Sequence, residues 1–117
     1  MAYNQQLAQL IGEQLLARQV NFETKKMFGG LAFMIKEKMC LGILQNEMIV
    51  RVMPEDYDTF LASSHFIKPM DFTGKIMRGF IMVEDEGIDA LLQVCIEKAL
   101  VFAEKGTLRS RKKFKPK

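Results

Sequence analysis

The chain has 117 residues, 49% of them hydrophobic and 26% charged, a composition that excludes a disordered polymer and suits one globular domain burying about two thirds of its unfolded surface. No apolar run reaches the roughly 18 residues of a membrane span, and the MAYNQQLAQL start has neither the basic nor the long apolar region of a leader, which predicts a cytoplasmic protein. The formal charge of +3 is unevenly placed: residues 1–108 hold 11 bases and 14 acids, and RSRKKFKPK at 109–117 holds six bases and no acid. The predicted body is therefore mildly acidic and the predicted tail a solvated basic segment.

Taken in chain order, Leu7, Leu10, Ile11 and Leu15 recur at the spacing of one buried helical stripe and predict an amphipathic helix from Tyr3 to Arg18. VNFETKKMFGG then reads as turn chemistry, with the Gly29-Gly30 pair marking a tight turn or a close backbone approach. Alternating residues predict a meander of three strands, over Leu31 to Lys36, Met39 to Ile43 and Met48 to Val52, with polar turns at Glu37-Lys38 and at Gln45 to Glu47. Pro54 followed by Glu55 and Asp56 opens a short helix whose apolar face is Tyr57, Phe60 and Leu61. A strand from Lys75 to Glu84 is apolar on both faces, with a short partner near Phe66 to Phe72, and suits a central position or a partner contact. The stripe Ile88, Leu91, Leu92, Cys95, Ile96, Ala99, Leu100 and Ala103 predicts the longest helix, capped at Gly106. Hairpin-linked strands cannot be parallel. The expected fold is thus α+β, a two-layer domain over residues 1–106 in the order α-β-β-β-α-(β)-β-α, its mainly antiparallel sheet of four to five strands packed against helices.

The side chains that could carry chemistry are few. The one histidine, His65, falls near a helix end; neither Cys40 nor Cys95 has a choice of imidazole base, and both read as buried reduced thiols. Glu84, Asp85, Glu86 and Asp89 read as a helix N-terminal cluster, and the Gly29-Gly30 pair lacks either phosphate-loop pattern. No catalytic residue, cofactor or metal is expected, so the chain is predicted to act by binding. Arg51 and Arg78 interrupt apolar strands and must snorkel or meet an acid, for which Asp71 is the nearest candidate. Met27, Met34, Met39, Met48, Met53, Met70, Met77 and Met82 fill core space or form an adaptable partner surface.

KKMFGGLAFMIKEKMCLGIL, MIVRVMPEDY and KPMDFTGKIMRGFIMV, followed by a long amphipathic helix, together resemble the N-terminal domain of the TfoX/Sxy family from about residue 5 to residue 104. Met27 to Gly30 and Pro69 to Phe80 are the specific parts. The resemblance implies an antiparallel sheet against helices and no enzyme activity, since longer members regulate natural competence with a cyclic-AMP receptor protein at promoters. Those members carry a second, helix-hairpin-helix domain where this chain ends at Lys117, so a stand-alone member of unassigned role is expected. Partner contact is expected at Met27, Phe28, Gly29, Gly30, Lys75, Arg78 and Phe80, and the reading leaves room for a homodimer. The alternative is non-specific nucleic-acid binding through Arg109, Arg111, Lys112, Lys113, Lys115 and Lys117, in which the bases of the tail neutralise phosphates.

Overall fold

The computed structural model describes residues 3–27, 29–72 and 74–105, with the side chains of residues 72 and 75–78 left undescribed. Among these residues the order is α1 (Gln5–Ala17), β1 (Glu23–Met27), β2 (Gly30–Ile35), β3 (Lys38–Leu44), β4 (Glu47–Arg51), α2 (Pro54–Leu61), β5 (Ile67–Phe72), β6 (Lys75–Val83), a 3-10 turn at Asp85–Gly87, and α3 (Ile88–Lys105). The strands form one antiparallel six-stranded sheet in the order β1-β2-β3-β4-β6-β5. The α+β class, the helix and strand order and the two layers agree with expectation.

The strand count is higher than expected because β1 is a strand where turn chemistry was read. Its residues Glu23 to Lys26 are exposed, so no alternation of burial marks it; the backbone pairing with β2 alone makes it a strand. The chain reaches it by a sharp stop to α1. Asn4 caps the start by accepting from the Leu7 N–H at 3.1 Å. At the other end Gln19 takes φ 62°, while the N–H groups of Gln19 and Val20 donate to the carbonyls of Leu16 and Leu15 at 2.9 and 3.0 Å. That is a Schellman ending, with Gln19 in the left-handed position that glycine usually fills.

The main core lies between the sheet and the three helices, joining Ile11 and Leu15 of α1, Tyr57 and Phe60 of α2, and Leu92, Cys95 and Ile96 of α3 to Phe33, Leu41, Ile43, Val50 and Ile81 of the strands. Burying such side chains contributes about 1.5 to 3 kcal/mol each and is the main force holding the layers together. A second cluster, on the other face, contains strand residues only: Ile49, Met70 and Met82, with Met39, Leu44 and Phe80 packed around them. A β-bulge decides which methionine goes where. Phe33 pairs with Leu41 but Met34 pairs with Met39, so Cys40 is an extra residue in β3. Cys40 and Leu41 both enter the main core, and Met39, expected in phase with Leu41, is turned to the helix-free face. The β2–β3 turn is Lys36-Glu37, one residue earlier than expected, with φ of 54° and 68° at its two residues. Gly106, the expected cap of α3, and the tail lie outside the described residues.

Candidate functional site

The MFGG stretch is the β1–β2 hairpin, closed by the Met27 and Gly30 pair. Its two glycines meet different demands. Gly29 is exposed, with φ +80° and open space where a Cβ would stand, so it supplies backbone conformation. Gly30 is buried, and a Cβ there would lie 2.0 Å from the Ile43 carbonyl oxygen, so it supplies room for a neighbouring strand. Met27 is half-buried; Phe28 falls outside the described residues.

The second expected contact stretch lies far from the first. Lys75, Arg78 and Phe80 are on β6, and β2, β3 and β4 stand between that strand and β1. At roughly 4.8 Å per strand, four spacings separate β1 from β6 by about 19 Å. The register also puts them at opposite ends: Phe80 pairs with Arg51 at the end of β4, whereas Gly30 follows the hairpin beside Leu44. The fold does not bring the two stretches into one patch. The side chains of Lys75 and Arg78 are outside the described set.

Arg51 was expected to snorkel or to meet an acid, with Asp71 as the nearest candidate. Its guanidinium carbon lies 4.5 Å from the centroid of the Phe80 ring and 4.5 Å from that of Phe102, and Asp71 is exposed on β5. Gly79, at φ +92°, lets β6 turn beside this stack, and its carbonyl accepts from the Val52 N–H at 2.9 Å. Lys38 joins the same corner, donating from Nζ to the Ala103 carbonyl at 3.0 Å. Arginine over aromatic faces gains about 0.5 to 2 kcal/mol and keeps its charge near the surface. Phe102 lies outside the predicted apolar stripe, although Cys95, Ala99 and Phe102 follow the i, i+4, i+7 spacing of one helical face.

On the helix-free face, Met39 Cε lies over Gly42, where a Cβ would approach it to 2.8 Å. Lys68 is within 3.0 Å of Glu47 and 3.8 Å of Glu84, bridging β5, β4 and the end of β6. A surface depression of about 680 Å³ beside β1 is lined by Phe22, Met34, Glu23, Lys25, Lys36 and other residues. Met48 fills the main core, while Met39, Met70 and Met82 belong to the second cluster, so the methionines divide between interior filling and a face without helices. Among the described residues, no group of three or more His, Cys, Asp or Glu is placed to hold a metal ion. Nor is any described helix long and apolar enough to cross a membrane.

Cys40 and Cys95 are buried in the main core as expected. Burial pushes the Cys40 thiol from 9.0 up to about 11, partly opposed by the Lys38 and Arg51 charges and a backbone hydrogen bond at Ile35, and pushes Cys95 up to about 12. Only the thiolate is reactive, so native protein at pH 8 should label with a maleimide no faster than it opens. Both folded thiols keep a proton that the unfolded chain loses above about pH 9. Their contribution to stability is thus complete below pH 9 and declines toward pH 11 and 12, by at most about 1.4 kcal/mol per pH unit for each thiol. A urea midpoint that falls between pH 8 and pH 10, and falls less in Cys95→Ala, is the expected result. Equal falls in both proteins would assign the effect to other groups.

The TfoX N-terminal domain matches residues 14–103, from the last turn of α1 nearly to the end of α3. The chain belongs to the TfoX N-terminal domain family. The matched span takes in the whole sheet and most of the main core of this TfoX domain, with Leu7 and Ile11 of α1 preceding it, together with the MFGG hairpin and the β5–β6 pair. No curated protein and no solved structure matches the chain.

Proposed function

We propose that this TfoX N-terminal domain is a regulatory module that acts by binding a protein partner and not by catalysing a reaction. The family match over residues 14–103 carries the reading. The helix-free face supports it: Met34, Met39, Leu44 and Phe80 are half-buried there, and flexible thioethers repack against a partner at low cost. A cytoplasmic location and a role related to competence or transcription belong to the same proposal.

Affinity capture from the native cell, followed by mass spectrometry, tests it with two baits. The full chain is expected to retain a specific protein that Met34→Glu loses, since the acid would sit on the contact face without disturbing the main core. Identical captured sets from both baits would count against that face. The basic tail favours a second reading, in which Arg109, Arg111, Lys112, Lys113, Lys115 and Lys117 neutralise phosphates without sequence preference. Removing residues 107–117 is expected to abolish low-salt retention on DNA and to leave the melting temperature nearly unchanged. A truncated chain still held by DNA would move the basic site to Lys26, Lys75 and Arg78.

A further inference from the structure

β1 ends the sheet on one side, and Glu23, Thr24, Lys25 and Lys26 are exposed on both of its faces. The two-residue hairpin fixes its hydrogen-bond phase. Met27 and Gly30 close the hairpin and so form a hydrogen-bonded pair, and the alternation of an antiparallel ladder then directs Met27, Lys25 and Glu23 inward to β2. The N–H and C=O groups of Thr24 and Lys26 face outward, as a template for another strand. The opposite edge, β5, is less suited, since it contains Pro69, which has no N–H, and a shift of register beside it.

We propose that β1 pairs antiparallel with β1 of a second copy of this chain, Thr24 standing opposite Thr24 on the two-fold axis, so that the two sheets become continuous. Charge selects both the occupant and the register. With the axis at Thr24, Glu23 of each copy faces Lys25 of the other on the helix-free face, and Thr24 faces Thr24; opposite charges and threonine pairs are both favoured across strands. Phe22 then faces Lys26, whose aliphatic stem can lie along the ring. Moving the axis by one residue sets Glu23 against Glu23 or Lys25 against Lys25, and like charges directly opposite are unfavourable. Lysines on an edge strand repel chains that lack an acid at the matching position. The ETK sequence supplies that acid from its own copy, which makes the edge selective for itself.

Sedimentation equilibrium of the full chain tests this pairing. The expected species at high concentration has twice the 13.4 kDa mass of one chain. Glu23→Lys and Lys25→Glu should each weaken association by roughly tenfold or more, and the double swap of both should restore it to about the native level. Both positions are exposed, and unchanged circular dichroism would confirm that the variants fold. Thr24→Cys should form a disulfide-linked dimer under mild oxidation, because opposed residues of a hydrogen-bonded pair have Cα atoms about 5.5 Å apart, within disulfide reach. A wild-type mass that stays at 13.4 kDa up to millimolar concentration overturns the proposal. So does a dimer indifferent to the single charge changes, or one that the double swap fails to restore.

Discussion

Gly30→Ala is expected to destabilise the domain by about 3 kcal/mol, a large share of the 5 to 15 kcal/mol that holds an ordinary domain together. The new Cβ would lie 2.0 Å from the Ile43 carbonyl oxygen and 3.1 Å from its carbon. Both are backbone atoms inside the β2–β3 ladder, where Leu31 pairs with Ile43, so relief requires two strands to part and not a side chain to rotate. Gly29→Ala is the control. That position has φ +80° but open space around it, so the cost there is conformational and about 1 kcal/mol. Urea unfolding of the two variants measures the difference directly. Equal midpoints would mean that the close approach of β3 to Gly30 is not a constraint on the fold, and that the MFGG hairpin needs only its turn geometry.

Phe102→Ala is expected to cost about 3 to 5 kcal/mol. Its ring is buried in the main core near the end of α3, and Arg51 lies over it at 4.5 Å. Truncation therefore leaves a cavity and strips one of the two aromatic faces from the guanidinium. Phe102→Leu separates the two effects, because it keeps much of the volume and removes the ring; a loss of about 1 to 2 kcal/mol is expected. A double-mutant cycle with Arg51→Met should show a coupling of about 0.5 to 1 kcal/mol between the two residues. Strict additivity would reduce Phe102 to a packing residue with no part in the arginine stack. The stack joins the end of β4 to α3 and to β6, so the cycle also measures how firmly this corner of the sheet is tied to the helical layer.

The elements that bury one regular face were legible in the sequence. Leu7, Ile11 and Leu15 at helical spacing, Pro54 with two acids behind it, and the alternation of Leu31, Phe33 and Ile35 each record a boundary between water and apolar packing, and each became the predicted element. The MFGG and Pro69 to Phe80 stretches led to the family for a different reason: Gly29, Gly74 and Gly79 take positive φ, so their residue type is tied to local backbone geometry. β1 was not legible, since an edge strand exposed on both faces leaves no hydrophobic period and is defined only by its hydrogen bonds to β2. Three further features depended on parts of the chain far apart in sequence. The bulge at Cys40 reversed the side on which Met39 lies; Arg51 stacks on Phe102, half the chain away and outside the predicted helical stripe; and the sheet order set β2, β3 and β4 between the two stretches expected to share a contact. Hydrophobic periodicity reports which face a residue turns toward the core, so sequence alone determined the layers. Which strand lies beside which, and what an arginine meets there, follows from long-range pairing and was decided only by the tertiary structure.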